Sequence, residues 1–396
     1  MCCPPPETRH VLPKEKFMKI FKAWVRPTFA GFVLCGLGCF VQAAELVIGQ
    51  VAPLTGVLAS TGHQMVVGGK IYFDFVNSQG GVNGAKIRHV VVDDGYKVAE
   101  TVRLTRELLA QQQVVALFGF AGTANVTQLL TDGILNDGGA ALVAPYTGGE
   151  SLRSPFNPWI FHVRAGYADE TEHMVKQVTT LGMDRVAVMY QDDGFGKAGL
   201  LGVENALAKR DLKLVAAAGY ERNTDKVEDA VEKIKASNAQ AVIMVSVNKS
   251  TAAFVKLYRE SGGKAKLYNI SVVDPAELVK LADLKNVHGL GISQVVPYPF
   301  MANMAVVREY QTLLKKFAPN ELVNYTSFEE FVGAKVLVEG LRRAGRNPTR
   351  AQVVKALESM DSYDAGGIKV NYSPTNRIGS RFVEVTVIGS TGKLLK

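Results

Sequence analysis

Residues 45–56 read ELVIGQVAPLTG. The run 46–51 is largely apolar, and Pro53 and Gly56 end it. A run of this length closed by turn residues has the pattern of a strand buried in a parallel sheet. Outward from it the same unit recurs. Further runs of this kind lie at 86–92, 114–119, 140–144, 185–190, 213–217, 241–245 and 290–295. Each is followed by a loop carrying Gly, Pro or Asp, and then by residues of helical periodicity.

The helical stretches place apolar residues on one face. In 98–111 these are Val98, Val102, Thr105 and Leu109. In 170–181 they are Met174, Val175, Val178 and Leu181, with Gly182 to close the helix. In 227–237 they are Val227, Val231 and Ile234. The stretch 328–341 opens on Ser327-Phe328-Glu329-Glu330, the pattern of a capping box. Strands alternating with helices form parallel sheets covered on both faces. So many strands crowd one open, twisted sheet. Two lobes are expected, with the extended stretch 157–164 as the first crossover between them.

The 396 residues are 47% hydrophobic and 21% charged, a globular balance. The N-terminal part stands apart. Lys19, Lys22 and Arg26 precede an apolar stretch at 28–41, and Val41-Gln42-Ala43 puts small residues before Ala44. This is the layout of a secretory signal peptide, too short in its apolar part for the roughly 20 residues of a membrane span. Cleavage after Ala43 is expected, with the signal at about 18–43 and an upstream extension before it. All four cysteines (Cys2, Cys3, Cys35, Cys39) lie in that segment, so the chain from Ala44 has no thiol chemistry. Of the net charge of +8, +4 belongs to residues 1–43. No basic stripe remains to hold nucleic acid.

In open α/β sheets the ligand sits beyond the carboxyl ends of the strands. The loops there include Ala52-Pro53-Leu54-Thr55-Gly56, Phe120-Ala121-Gly122-Thr123-Ala124 and Pro145-Tyr146-Thr147-Gly148-Gly149. They carry small residues, hydroxyls and aromatics, and none pairs a nucleophile with a base. Thr123 stands where a helix begins and reads as its N-cap, facing amides that suit a carboxylate or only solvent. Gly194-Phe195-Gly196-Lys197-Ala198-Gly199 matches G-x-G-x-x-G after a strand. A dinucleotide-binding oxidoreductase is the alternative it raises. Asp192 and Asp193 would repel a pyrophosphate there. Ser246-Val247-Asn248-Lys249 fits S-x-x-K without the partner motifs of a β-lactamase. The six histidines are dispersed, and no H-E-x-x-H occurs. No catalytic residue, metal or cofactor is expected.

The segments Ile48-Gly49-Gln50-Val51-Ala52-Pro53-Leu54-Thr55-Gly56, Asn77-Ser78-Gln79-Gly80-Gly81-Val82-Asn83-Gly84, Val92-Asp93-Asp94, Phe118-Gly119, Val143-Ala144-Pro145 and Tyr190-Gln191-Asp192-Asp193-Gly194-Phe195-Gly196 carry a resemblance. Each is short, but in this order they resemble the branched-chain amino-acid (Leu/Ile/Val) binding proteins of ABC importers, across 45–396. The resemblance implies a type I periplasmic binding fold of two Rossmann-like lobes joined by a three-segment hinge. Lobe one would hold 44–164 and 296–372, and lobe two 165–295 and 373–396. It implies a monomer in the periplasm that closes on a small molecule and delivers it to an inner-membrane permease. A ligand sensor of the same fold, responsive to an amide or amino acid, is the second alternative.

By the same resemblance, Gly122, Thr123 and Ala124, with Tyr146 and Thr147, hold a ligand carboxylate. Phe195 lines the pocket, and Tyr167 lies at its mouth beside the first crossover. The family holds the ligand ammonium with a Glu from the second lobe, and here Ser271 stands near that place. Val247 replaces a pocket Tyr, and Tyr96 and Gly122 stand near the family's two cysteines. Asp169 or Asp274 would have to supply the missing charge. Otherwise the ligand is a carboxylate without an amine, an aromatic acid among them, or an amide.

Overall fold

A computed structural model describes residues 45–111 and 113–396. The expected signal peptide and its cleavage point lie outside them. The strands are β1 (Glu45–Ala52), β2 (Lys86–Asp93), β3 (Ala116–Phe118), β4 (Leu142–Val143), β5 (Ile160–Phe161), β6 (Val186–Gln191), β7 (Ala216–Tyr220), β8 (Ala241–Val245), β9 (Lys266–Asn269), β10 (Gly291–Gln294), β11 (Tyr363–Asp364), β12 (Lys369–Val370), β13 (Glu384–Ile388) and β14 (Leu394–Leu395). The helices are α1 (Ala59–Ser78), α2 (Val98–Gln111), α3 (Thr123–Thr131), α4 (Ile134–Gly138), α5 (Tyr167–Thr180), α6 (Gly194–Ala208), α7 (Glu228–Ala236), α8 (Asn248–Glu260), α9 (Pro275–Ala282), α10 (Leu284–Val287), α11 (Ala305–Phe317), α12 (Tyr325–Ala344) and α13 (Arg350–Glu358).

Two large sheets hold twelve of these strands, and β11 and β12 pair antiparallel as a separate ribbon. Lobe one is built on a parallel sheet in the order β2-β1-β3-β4-β5. Lobe two is built on the order β14-β13-β10-β9-β8-β6-β7, parallel except where β13 meets β10 and β14. The alternation of side chains along each strand serves two cores at once. Leu46 and Ile48 join Phe118 and Val143 in the core under α1 and α12. Val47 and Val51 join Leu117 and Leu142 in the core under α2 and α3. In lobe two, Ala187 and Met189 face α7 and α8, while Val186 and Val188 face α5 and α6. Helices α1 and α12 pack close, because a Cβ on Gly68 would fall 2.2 Å from the Ser327 carbonyl oxygen.

The chain passes between the sheets three times: after β5, after β10 and after β12. The first and third passages lie side by side. The amide of His162 donates to the Arg377 carbonyl at 2.8 Å, and the amide of Gly379 donates to the His162 carbonyl at 2.8 Å. Lobe one is tied late in the chain. The Arg350 guanidinium donates to the carbonyls of Val114, Gly138 and Leu109 at 2.7, 2.8 and 2.8 Å.

Some local expectations need correction. β7 runs three residues later than 213–217, because Ala218 and Tyr220 supply the buried alternation. The buried face of α2 is Thr101, Leu104, Thr105 and Leu108. Thr101 turns inward to donate to Asp94 at 2.5 Å, and this carries Val98, Val102 and Leu109 partly outward. Leu181 is exposed at the end of α5, where Gly182 takes φ +75° and closes the helix. α12 starts at Tyr325 and not at Phe328. Asn324 is its cap and accepts from the Ser327 amide at 2.8 Å, so Ser327 and Glu330 form no capping box.

Candidate functional site

The carboxyl ends of both sheets face each other across the cleft. Leu58, Tyr96, Gly122 and Tyr146 of lobe one and Tyr167, Phe195, Val247 and Val272 of lobe two enclose a cavity of about 10 Å³. No wall residue carries a formal charge. Tyr167 and Phe195 meet edge to face at 5.5 Å between ring centroids.

Gly122 and not Thr123 occupies the N-cap of α3. Its φ of +93° excludes a side chain cheaply, and a Cβ would strike Asn125 and Tyr96 at 2.6 and 2.7 Å. Thr123 is the first helical residue, and the cap makes no side-chain hydrogen bond. Thr123 and Thr147 hydroxyls share a hydrogen bond of 2.7 Å. Thr147 Oγ1 also accepts from the Gly149 amide at 3.1 Å and from the Tyr167 hydroxyl at 3.5 Å. Both threonines are buried beside the cavity walls. The Tyr146 hydroxyl donates across the cleft to the Ser271 carbonyl at 3.3 Å and lies 3.1 Å from Thr326 Oγ1. Burial raises the hydroxyl pKa values of Tyr146 and Tyr167, keeping both as neutral phenols. Ala124 faces a neighbouring groove that it lines with Gly194 and Lys197.

Behind Tyr146 lies a buried ionic cluster that the sequence patterns did not reveal. Arg164, on the first passage between lobes, is fully buried. It lies 3.2 Å from Glu170 and 3.3 Å from Glu329, and it donates to Ser271 Oγ. Its guanidinium sits 5.0 Å from the Tyr146 ring centroid. Glu170 also accepts from the Ser271 amide at 2.9 Å and from Ser293 Oγ at 2.6 Å. Burial opposes the charge on Arg164, but Glu329 and Glu170 outweigh it and hold the guanidinium charged. Burial pushes Glu329 up to about 7, against the pull of Arg164. Glu330 is pushed well above the ordinary carboxylate range by burial and by Glu329, and its oxygens make no hydrogen bonds. Ser271 therefore has its hydroxyl and its amide engaged within the protein.

The two candidate replacement acids lie elsewhere. Asp169 accepts from the Gly166 amide at 3.2 Å and pairs with Arg381 at 3.1 Å. Asp274 caps α9 through the Glu277 amide at 2.8 Å. The Gly-rich stretch is explained by packing. Asp193 caps α6 by accepting from the amides of Phe195 and Gly196 at 2.9 and 3.2 Å, taking the donors a phosphate would need. A Cβ on Gly196 would fall 1.8 Å from the Gln191 carbonyl oxygen. Ser246 is buried and bonded to Thr251 and Asn269 at 2.6 and 3.0 Å. Among the described residues, no group of three or more His, Cys, Asp or Glu is placed to hold a metal.

The family model described as periplasmic binding protein matches residues 45–393. A substrate-binding periplasmic protein from Ralstonia solanacearum is 38% identical. It superposes with a TM-score of 0.85 over 88% of this chain and 99% of its own. The Leu/Ile/Val-binding protein homolog 7 of Brucella abortus is 25% identical over 361 residues, covering 85% of this chain and 86% of the relative. A branched-chain amino-acid ABC transporter protein from Thermus thermophilus, solved with bound valine, is 18% identical with a TM-score of 0.79. The match covers 89% of this chain and 95% of its own, and it speaks to the fold alone.

Proposed function

The chain belongs to the periplasmic binding protein family, and from that premise we propose that its solute is a carboxylate- or amide-bearing small molecule held without an ammonium countercharge. The protein is the periplasmic receptor of an ABC importer, not an enzyme. It captures a small solute between its lobes and passes it to an inner-membrane permease.

One observation carries the ligand class. The cavity wall has no acidic residue, and Glu170, which accepts from the Ser271 amide, and Glu329 already face Arg164. An ammonium buried at this wall would meet no acidic partner there, which is costly. Lobe one offers the opposite. The first amides of α3, beyond the uncapped Gly122, favour an anion together with the helix dipole. In this reading Gly122, Thr123, Ala124 and Thr147 receive the carboxylate. Tyr146, Tyr167 and Phe195 would have to part around a flat body, since Tyr167 and Phe195 meet edge to face over a cavity of about 10 Å³. Ser271 and Asp169 shape lobe two without supplying charge to the ligand.

Calorimetric titration against leucine, isoleucine, valine, aromatic carboxylates, dicarboxylates and amides tests this. Binding confined to the acids or amides is expected. Tight binding of the three branched-chain amino acids would refute it.

Two further readings go with this one. Residues 1–43 are an export segment removed between Ala43 and Ala44, as the Val41-Gln42-Ala43 pattern supports. The lobe boundaries fall near 164/165, 295/296 and 372/373, a division supported by the two large sheets and, for 296–372, by the packing of α12 on α1.

A further inference from the structure

We propose that Arg222 is the clasp of this receptor, a positioning residue that grips lobe one across the mouth of the cleft and sets the fraction of closed molecules. The inference rests on reading the cleft as the solute site. Arg222 follows β7, an edge strand of lobe two, and Tyr96 follows β2, an edge strand of lobe one. The three passages between lobes leave from the other side of the sheets. Tyr96 and Arg222 therefore meet where a given hinge rotation moves the lobes furthest apart.

The contact is dense and charge-assisted. Arg222 Nη2 donates to the Tyr96 carbonyl at 2.8 Å and to Asn125 Oδ1 at 2.6 Å, both on lobe one. The guanidinium lies 4.0 Å from the centroid of the Tyr96 ring. Its Nη1 donates to Asp193 on its own lobe at 2.9 Å, so the fork is held in place before it reaches across. Gln191 completes the grip by donating to the Tyr96 hydroxyl at 3.3 Å. Tyr96 is thus held at its carbonyl, its ring face and its hydroxyl. Its backbone takes φ +61°, an unfavourable region for a ring-bearing residue, steadied by its own amide donating to Asp94 at 2.9 Å.

Away from Arg164, which joins the lobes on the first passage between them, two other contacts across the cleft are neutral and longer. Asn248 donates to Thr61 at 3.3 Å, and Tyr146 to the Ser271 carbonyl at 3.3 Å. Hydrogen bonds from an ionised donor are the stronger kind, and a planar fork binding two acceptors while stacked on a ring is a task lysine cannot copy. Tyr96 is also a wall of the cavity. The clasp therefore shapes the solute chamber and holds it shut with protein groups alone.

Small-angle X-ray scattering of the full chain without solute tests this directly. Arg222→Ala is expected to lower the closed-to-open ratio about tenfold, or about 1.4 kcal/mol, read as a larger radius of gyration. Arg222→Lys is expected to fall between the parent and the alanine variant. Circular dichroism identical to the parent's shows that each variant is folded, and the lysine variant serves if the alanine one is not. A folded variant with the parent's radius of gyration overturns the proposal. The measurement needs no solute. Opening in Arg222→Ala alongside a panel of carboxylates and amides that never binds would fault the solute reading and leave the clasp standing.

Discussion

Replacing Glu329 by Gln is expected to stabilise the protein above neutral pH and to leave it nearly unchanged near pH 5. The side chain is buried at the junction of the lobes, 3.3 Å from Arg164. Burial, aided by Glu170, raises its pKa from an ordinary 4.5 to about 7. In the unfolded chain the proton leaves near 4.5, and in the folded protein it stays until about 7. The folded state therefore binds the extra proton in that window, and stability falls as pH rises through it. Two to three pH units at 1.36 kcal/mol each amount to about 3 kcal/mol. Glutamine has the shape of the protonated acid and never ionises. Arg164 keeps Glu170 as its countercharge in the variant. Urea denaturation of parent and variant at pH 5, 6, 7 and 8 measures the difference. The two curves should coincide at pH 5 and diverge by about 3 kcal/mol in favour of the variant at pH 8. A variant less stable than the parent at pH 8 would show that Glu329 is ionised as a true partner of Arg164, and that burial does not dominate.

Thr123→Ala and Thr147→Ala should each weaken binding of whichever panel solute binds by about 1.5–3 kcal/mol, the range for a hydrogen bond to a charged group; unchanged dissociation constants in calorimetry would move the carboxylate away from this pair. Mass spectrometry of protein recovered from the periplasm should give a chain beginning at Ala44. A chain beginning at or before Met18 would refute the proposed cleavage.

The repeating strand-and-helix architecture was legible because it rests on local signals. β1, β6 and β8 are largely apolar runs with clear turn residues, and their pattern survives whatever packs on them. β4 and β5 have two residues each, too few to show a period, and they exist as strands only because neighbours pair with them. The helix starts misread at Thr123 and Phe328 both have their cap upstream of the expected residue, for different reasons. Gly122 takes its place through a left-handed backbone angle, and Asn324 through a side chain four residues before the expected start. The ionic cluster was beyond local reading. Arg164 lies 107 residues from Ser271, and Arg222 lies 126 residues from Tyr96. Glu329 and Glu330 lie in the first turns of α12, among Phe328, Phe331 and Val332, where two acids look like a polar helix start and not like buried groups.

The three hydrogen bonds of Arg350 bear on how the molecule reaches its compartment. They fasten Leu109, Val114 and Gly138 with a residue made more than 200 positions later. In lobe two, β13 and β14 join the sheet from residues 384–395. Neither lobe is a stretch of chain that can finish its own core while the remainder is still being synthesised. Long-range pairing of this kind is slow, since chain entropy is lost before the contacts form. Final compaction therefore waits for the last residues of the chain, an order that suits a protein of the periplasm.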